Sequence, residues 1–293
     1  MVRIMRMQFA VSLTLVVLAI AAFPENMNPE EIVARHLNSI GTPEARAAIK
    51  SRVVQGVLKM HILVGGGGDV TGTWGRVSEQ RQSNFVMRFA AGGDWRGEQF
   101  IFDGEHTGFA TATTSHTRSV FAQFVGSHDY IVKEGLLGGE LSTAWALQNL
   151  DSTHAKLEYI GRKKIDGREL IALQYFSKGG GDVQVRMYFD PDTFQHVATI
   201  YTLELSQGVA SAVTDTRQYQ NRYSIEERFS DFKAVDGLTL PTSYHLRYTE
   251  DVTNDAPATT RGQLGGTRIY DWDMTAEQIQ NNVNLDAKNF HVK

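Results

Sequence analysis

The stretch YSIEERFSDFKAVDGLTLPTSYHLRY, from Tyr223 to Tyr248, decides the fold class of this chain. Asp236 and Gly237 lie between two runs rich in aromatic and β-branched residues, and a two-residue Asp-Gly loop adopts the positive φ angles that match the twist of a β-hairpin. After the turn, the apolar side chains share one parity, so one face of the second strand is apolar. In the first strand the apolar pattern changes phase between Phe229 and Phe232, which predicts a β-bulge.

The same turn signal recurs at Asp103-Gly104 and Asp166-Gly167, and three such turns between alternating runs predict an antiparallel meander. We therefore expect a mainly β fold of the α+β class, whose strongly curved antiparallel sheet forms an open or half barrel with helices over its concave face. A polar stretch over residues 206–222 predicts a long loop, and residues 249–266 predict a second connection. Further alternating runs predict strands over residues 54–64, 70–78, 84–90, 97–102, 105–113, 156–165, 168–176, 183–189, 197–205 and 267–272.

Helix signals occur near both ends of the chain. An N-cap at Asn28 followed by Pro29 predicts a helix over residues 29–40, and a shorter helix follows over residues 45–49. Near the C-terminus, the capping box from Thr275 to Gln278 predicts a last helix.

A third helical region lies in the middle of the chain, over residues 117–150. The two-residue period disappears there, and apolar residues follow helical spacing interrupted by glycines. An apolar helical insert within a β meander must cover an apolar surface that the strands leave open. The insert therefore forms either a lid or a connection that fills the core.

The first 22 residues have the pattern of a secretory signal peptide. Arg3 and Arg6 precede an apolar run that ends in small residues at Ala22, and this run is shorter than the about 20 residues that a spanning helix needs. We expect residues 1–22 to be removed, residues 23–293 to form one exported β domain, and no transmembrane segment to remain. The predicted location is the periplasm.

Composition narrows the function further. The chain has no cysteine, so an exported fold has to be stabilised by its hydrophobic core without disulfides. The formal net charge is −4, and it becomes −6 when the two arginines of the signal peptide are removed. A mildly acidic chain without basic runs is not expected to bind nucleic acid.

Motifs for catalysis and for metal binding are absent from the sequence. There is no H-E-x-x-H motif, no G-x-S-x-G motif and no cysteine nucleophile, and the nine histidines are scattered. The acidic pair Glu30/Glu31 is interpreted as negative charge that stabilises the N-terminus of a helix through its dipole. The pair Glu226/Glu227 is interpreted as lying at a solvated strand edge rather than as an acid and base for catalysis. The sequence therefore predicts no enzyme, no cofactor and no metal.

Aromatic residues and methionine are concentrated on one parity of many strands. A closed core would use these side chains equally well. Together with the glycine-interrupted insert, however, they also suit a concave apolar face that admits a lipid-like ligand. The predicted walls of such a hydrophobic cavity are Met60, Trp74, Phe85, Met87, Phe89, Phe100, Phe102, Phe121, Leu136, Leu137, Trp145, Tyr175, Met187 and Tyr201.

Five segments give the chain a family resemblance: NPEEIVARHLNSIG at residues 28–41, SRVVQG at 51–56, GLLGGELSTAW at 135–145, FDPDTFQHV at 189–197 and ERFSDFKAVDGLTLP at 227–241. With the signal peptide, they resemble bacterial periplasmic proteins similar to the outer-membrane lipoprotein-sorting carrier LolA. The resemblance implies an incomplete, strongly curved antiparallel barrel with a helical lid, which binds the acyl chains of lipoproteins in transit.

Three functions follow from these observations. The first is a periplasmic carrier or binding protein whose partner is a lipid, a lipoprotein acyl chain or another hydrophobic molecule. The second is a structural or interaction protein of the envelope, with an envelope protein as its partner and a concave face filled by its own side chains. The third, an enzyme such as a hydrolase, has no catalytic set in the sequence to support it.

The signal-peptide interpretation predicts that the exported protein begins within a few residues of Ala22. N-terminal sequencing of the exported material measures this directly. A membrane-embedded product that still begins at Met1 would contradict the interpretation.

Overall fold

The structure is a computed structural model that describes residues 27–64, 68–90, 96–111, 118–208, 218–252 and 266–292. Within these residues, twelve strands form one antiparallel sheet in the order β5-β4-β3-β2-β1-β12-β11-β10-β9-β8-β7-β6, which is not closed into a barrel. The prediction of a mainly β fold with an open antiparallel sheet is confirmed. The strands are β1 (Ser51–Val64), β2 (Gly68–Glu79), β3 (Gln82–Phe89), β4 (Gly97–Phe102), β5 (Thr107–Thr111), β6 (Lys156–Ile165), β7 (Arg168–Phe176), β8 (Gln184–Phe189), β9 (His196–Gly208), β10 (Gln218–Val235), β11 (Leu238–Val252) and β12 (Gly266–Asn281).

The strand order sets the path of the chain across the sheet. Strands β1–β5 and β6–β12 are two consecutive meanders that meet where β1 pairs with β12, so β5 and β6 lie at opposite edges. The chain between these two edges includes a helical segment, residues 119–153, which has to cross one face of the sheet. It contains α3 (Val120–Ser127), α4 (Tyr130–Lys133), 3-10 turns at Gly139–Leu141 and Ala146–Gln148, and α5 (Leu150–Thr153).

Two of the three predicted Asp-Gly turns have the expected form. Asp236 and Gly237 have φ angles of 51° and 79°, and the flanking residues Val235 and Leu238 are paired, so this hairpin has a two-residue turn. The turn at residues 166–167 has the same form, with φ angles of 50° and 81°.

The turn at Asp103-Gly104 differs from the prediction. Phe102 pairs with Thr107, so four residues connect β4 and β5. The Asp103 carboxylate accepts hydrogen bonds from the backbone N–H groups of Glu105 and His106, at 2.8 and 2.7 Å. This side chain therefore organises a longer loop, as aspartate does in Asx turns.

The predicted bulge between Phe229 and Phe232 is wrong in form. The pairing of β10 with β11 keeps the same register on both sides of Asp231, so no residue is inserted. Asp231 has a φ angle of 55°, and the hydroxyl of Thr242 donates to its carbonyl oxygen at 2.7 Å. This left-handed residue changes the phase of the apolar pattern without changing the register.

Two predictions in the second half of the chain are also wrong. Residues 275–281 belong to β12 rather than to a helix, because Thr275 pairs with Val57 and Ile279 pairs with Val54 of β1. Non-local pairing with a central strand outweighs the local capping signal. The predicted loop over residues 206–222 is strand at both of its ends, since β9 extends to Gly208 and β10 begins at Gln218.

The N-terminal helices pack beside the central hairpin. Helix α1 (Pro29–Ile40) has the predicted bounds, and Asn28 caps it by accepting a hydrogen bond from Glu30 N at 3.1 Å. Helix α2 (Pro43–Ala48) follows. At Gly41, a Cβ atom would lie 2.8 Å from the side chain of Leu238, so glycine permits the close approach of α1 to the β10–β11 turn.

Several sequence predictions concern residues outside the described ranges: the signal peptide and its cleavage site, most of the turn at residues 65–68, and the middles of the connections at 209–217 and 253–265. Within the described part of the chain, no helix combines the length and the apolar character needed to cross a membrane.

The left-handed conformation of Gly237 predicts the cost of adding a side chain there. Gly237→Val is expected to lower the free energy of unfolding by about 1–3 kcal/mol because a β-branched residue is strained at positive φ. The nearest atom to a Cβ at this position is 3.8 Å away, so the cost comes from the backbone rather than from a clash. Chemical denaturation of both proteins measures this difference.

Gly179→Val is the matched control. Gly179 also lies in a turn, but its φ is not in the left-handed range and no atom lies within 4 Å of its Cβ position. The control should therefore unfold near the wild-type midpoint, and an equal effect of both substitutions would contradict the assignment of the strain to Gly237.

Candidate functional site

The helical segment packs against one face of the sheet, here called the concave face. Phe121 of α3 is fully buried, and its ring centroid lies 5.4 Å from that of Phe100, 5.2 Å from that of Trp272 and 6.0 Å from that of Tyr248. These three partners come from β4, β12 and β11. A single side chain of the segment therefore joins distant strands of the sheet.

The predicted cavity walls lie together in one continuous core. Four of the fourteen residues come from the helical segment and the other ten from strands, and none is more than 4% exposed. Whether these side chains contact a ligand stays a prediction. Their positions are Met60, Trp74, Phe85, Met87, Phe89, Phe100, Phe102, Tyr175, Met187 and Tyr201 on strands, and Phe121, Leu136, Leu137 and Trp145 on the helical segment.

A cleft of about 320 Å³ lies between α3 and strands β9–β11. Phe124 forms its inner wall, with its ring centroid 5.8 Å from those of both Tyr223 and Tyr248. At the rim, His128 Nε2 lies 3.3 Å from a carboxylate oxygen of Asp182. Both apolar and polar side chains line this cleft: Val120, Gln123, Phe124, Ser127, His128, Asp182, Leu203, Leu205, Tyr223, Tyr248 and Glu250.

The sequence analysis did not select these cleft residues. Tyr248 lies on the apolar parity of β11, and Phe124 follows the helical spacing of the insert, so both had a detectable signal. Leu203 and Leu205 alternate along β9, but nothing in the sequence places α3 beside them. Two further cavities among the described residues include one predicted wall residue each: Tyr175, in a cavity of about 260 Å³ beside Tyr130, and Trp74, in one of about 450 Å³ at β1–β3.

A buried carboxylate connects the helical segment to the sheet. Glu227 of β10 is fully buried and accepts hydrogen bonds from Gly138 N at 2.6 Å, from Tyr244 OH at 2.6 Å and from Tyr201 OH at 2.7 Å. Burial raises the pKa of Glu227 above its ordinary value. Three donors satisfy the carboxyl oxygens, as a buried acid requires.

The interpretation of Glu226/Glu227 as a solvated strand edge is therefore wrong for Glu227. Strand β10 lies inside the sheet, between β9 and β11, so it has no free edge. Glu227 has the parity of the buried Ile225 and Phe229, which places its carboxyl on the concave face.

A second buried group fixes the next residues of the helical segment. Glu140 Oε2 lies 3.0 Å from His196 Nδ1, and His196 Nε2 lies 2.8 Å from the hydroxyl of Thr199. Arg52 of β1 donates to the carbonyl oxygen of Glu140. Burial alone would raise the pKa of Glu140, but His196 opposes this, and the net shift is downward.

The order of carboxylate, imidazole and hydroxyl in this group resembles the arrangement of a catalytic triad. Thr199, however, has no exposed surface, and none of the three described cavities includes it. A nucleophile without a space for substrate beside it cannot react. We interpret the group as an anchor of the helical segment.

Trp145 supplies a third anchor, through a buried histidine of α1. The indole Nε1–H donates to His36 Nε2 at 3.0 Å, and His36 Nδ1 donates to the carbonyl oxygen of Phe194 at 3.1 Å. This arrangement requires a neutral ring, because Nε2 must accept. Burial lowers the pKa of His36 to about 4, which is consistent with the neutral form.

No group of three or more His, Asp or Glu side chains among the described residues is arranged to hold a metal ion. The anchors are instead hydrogen bonds and ion pairs within the protein. What the arrangement offers chemically is an apolar surface, a cleft beside α3 and a few buried polar groups.

No protein-family model and no curated protein matches this chain. Similar solved structures include a DUF1329 family protein from Desulfovibrio piger, at 13% identity over 89% of this chain and 96% of that one, with a TM-score of 0.45. A LolA superfamily protein from Nitrosomonas europaea is 12% identical over 91% and 98% of the two chains, with a TM-score of 0.43. An outer membrane lipoprotein-sorting protein domain from Vibrio parahaemolyticus is 11% identical over 90% and 97%, with a TM-score of 0.46. The last two bear the name of the family that the sequence motifs resemble.

The buried His36 predicts a pH dependence of stability. Its pKa is lowered from 6.5 to about 4, so the unfolded chain takes up a proton first as the pH falls. This contribution is fully present above pH 6.5 and is lost as the pH falls toward 4.

Because one pKa unit corresponds to about 1.4 kcal/mol, the wild type should lose about 2–3 kcal/mol more than His36→Gln between pH 7 and pH 4.5. Chemical denaturation of both proteins at several pH values measures the difference. Parallel pH profiles would show that His36 is not held neutral in the folded state.

Proposed function

We propose that this chain is an exported, periplasmic binding protein or carrier that holds an elongated apolar ligand, such as an acyl chain, between α3 and the concave face of the sheet. The observation that supports this most is the cleft beside α3, which has an aromatic inner wall. One layer of rings separates the cleft from the hydrophobic core. Phe124 and Tyr248 face the cleft, and Tyr248 in turn contacts Phe121 in the core. A ligand entering at the cleft would therefore meet aromatic rings along its inner wall, and polar side chains such as Gln123 and Glu250 elsewhere in the lining.

The energetics of such a ligand need no charged contact. Apolar surface removed from water contributes roughly 25 cal/mol for each Å², so an acyl chain is held by burial alone. The aromatic and aliphatic lining of the cleft, chiefly Phe124, Leu203 and Tyr223, supplies this surface.

The attachment of the helical segment indicates which part would move. The stretch from Gly138 to Trp145 is held by the three buried anchors, and Thr143 N also donates to the hydroxyl of Ser78 at 2.9 Å. Helix α3 is fixed by polar contacts at its N-terminal end, where Ser119 N and Oγ donate to Glu98, while Phe121 and Phe124 hold its body by apolar packing. Apolar packing lacks the directional constraint of a buried hydrogen bond, so α3 is the element that yields to a ligand.

The N-terminal signal pattern supports the proposed location. An exported protein without a remaining membrane segment would work in the space between two membranes, where a lipid needs shielding from water. The LolA-like sequence motifs agree with this role.

A second candidate function has an observation of its own. All fourteen predicted wall residues are at most 4% exposed, and four of them come from the helical segment that packs against the others. A protein whose concave face is filled by its own side chains needs no ligand and would act through an envelope protein partner. Ligand binding separates the two candidates.

A substitution that fills the cleft with a large side chain tests the proposal. Ser127 is exposed and lines the cleft, so Ser127→Trp should fill the entrance without disturbing the core. We expect the wild-type protein to bind a fluorescent polyene fatty acid saturably and this variant to bind it at least about tenfold more weakly, since a tenfold loss needs only about 1.4 kcal/mol. Fluorescence titration gives both dissociation constants.

Ser152→Trp is the control, because Ser152 is exposed on α5 and does not line the cleft. It should bind the probe like the wild type. Absence of saturable binding by the folded wild-type protein would favour the interaction protein, and equal binding by both variants would place the entrance elsewhere.

A further inference from the structure

The concave face contains a buried cation. Arg76 of β2 is 3% exposed, and its Nε has no hydrogen-bond partner. Among the described residues, no carboxylate forms an ion pair with this guanidinium at 4 Å or less. A buried guanidinium is costly unless an anion and hydrogen bonds compensate it, so Arg76 needs an explanation.

The surroundings of Arg76 compensate its charge only in part. Glu227 is the nearby acid, but its two carboxyl oxygens accept hydrogen bonds from Tyr201, Tyr244 and Gly138. The guanidinium carbon lies 5.0 Å from the ring centroid of Phe85, a cation–π contact that stabilises the charge without an anion. The Nε–H donor of the guanidinium therefore remains without an acceptor.

The cover above Arg76 is backbone rather than side chain. Gly138 has a φ angle of 79°, and a Cβ atom there would lie 2.5 Å from Nη2 of Arg76. Only glycine allows the helical segment to lie this close to the guanidinium. Lifting this residue would break its hydrogen bond to Glu227 and would uncover the cation.

A file of aromatic rings connects the cleft to Arg76. Starting from Phe124 at the cleft, consecutive ring centroids are 5.8, 6.0, 5.4 and 5.9 Å apart, and the last ring lies under the guanidinium. An elongated apolar chain laid along this file would have one end at the cleft and the other at the cation. The rings, in order, are Phe124, Tyr248, Phe121, Phe100 and Phe85.

We propose that Arg76 binds the carboxylate of a long-chain fatty acid, with the carboxylate buried beneath Gly138 and the chain directed along the aromatic file toward the cleft. This proposal rests on the proposed function and names its ligand class. A planar carboxylate matches the paired donors of a guanidinium, and such charge-assisted hydrogen bonds are strong away from water. Binding requires α3, which carries Phe121 and Phe124, to move away from the strands so that the chain lies between these two rings and the rings of the sheet. It also requires Gly138 to break its hydrogen bond to Glu227.

A single carboxylate fits this position better than a phospholipid head group. The position lies among Phe85, Gly138 and two buried tyrosines, where a large hydrated head group would lose its water without replacement partners. Burial raises the pKa of the neighbouring Glu227, so this carboxyl takes up a proton more readily than an exposed one when a second carboxylate arrives.

The test compares palmitic acid with hexadecanol, which has the same chain length and no charge, by displacement of the fluorescent polyene fatty acid from the mature protein. The wild type should bind the acid at least about tenfold more tightly than the alcohol, as expected for a buried charge-assisted contact. Arg76→Gln should remove this preference and leave binding of the alcohol unchanged.

Arg52→Gln is the matched control, because Arg52 is another buried arginine whose donors are used by Glu140 O and Asn281. Because Arg52→Gln also removes a contact of the Glu140 anchor, it should change the affinities for both ligands together and retain the ratio of acid to alcohol binding. A phospholipid added as a third competitor should displace the probe more weakly than palmitic acid.

A second measurement applies if Arg76→Gln does not fold. In wild-type protein loaded with palmitate labelled with ¹³C at its carboxyl, the carboxyl resonance should stay at its ionised position when the pH is lowered through the range in which free fatty acid is protonated. A carboxyl that titrates like the free acid would overturn the proposal.

The remaining outcomes of the competition experiment separate a failure of the Arg76 assignment from a failure of the proposed function. Equal binding of acid and alcohol by the wild type, or a preference that survives in Arg76→Gln, would overturn the assignment of Arg76 and leave the proposed function standing. Failure of both ligands to bind would overturn the proposed function itself.

Discussion

The structure depends on one constraint: a twelve-stranded antiparallel sheet that stays open has an apolar face which must be covered. The two edge strands, β5 and β6, are consecutive in the chain, so the connection between them crosses that face. The helical segment is this connection, and its burial of Phe121 against three strands completes the core. Topology therefore supplies a cover for the concave face that is tied to both edges of the sheet.

Buried polar groups determine where this cover lies. Apolar packing is non-directional, whereas the hydrogen bonds from Gly138 to Glu227 and from Trp145 to His36 each define one position of the chain. Breaking either would leave a polar group buried without a partner, which is expensive. The stretch between these residues is consequently held in register on the sheet, while α3 depends mainly on apolar contacts along its body. This difference along one segment is the physical basis for assigning the movable part to α3.

Much of the fold could be predicted because its signals are local. The turns at Asp166-Gly167 and Asp236-Gly237, helix α1 and the parity of the strands all follow from neighbouring residues. The strand at residues 275–281 could not be predicted, since it depends on pairing with β1, which is distant in sequence. Glu227 shares the parity of Ile225 and Phe229, but the donor Gly138 that satisfies its buried carboxyl comes from a distant part of the chain. A capping box and a pair of glutamates have the same local appearance whether or not a sheet surrounds them.

The candidate site likewise combines features that local sequence signals predict with features that depend on tertiary contacts. The strand parity of the aromatic residues predicted that they are buried. It could not distinguish side chains that pack in a closed core from side chains that line a cavity. Leu203 and Tyr223 line the cleft only because α3 returns across the sheet. Arg76 shares the parity of Trp74, but parity alone does not show that its guanidinium is buried without an anion. Such positions follow from tertiary contacts alone.

Native mass spectrometry of the mature protein, exported by its host and purified without detergent, tests the central claim most directly. The account predicts a species heavier than the polypeptide by the mass of one long-chain fatty acid, with the excess mass lost after extraction by organic solvent. A bare polypeptide mass that persists after incubation with excess fatty acid would contradict it, and would show that the helical segment fills the concave face permanently.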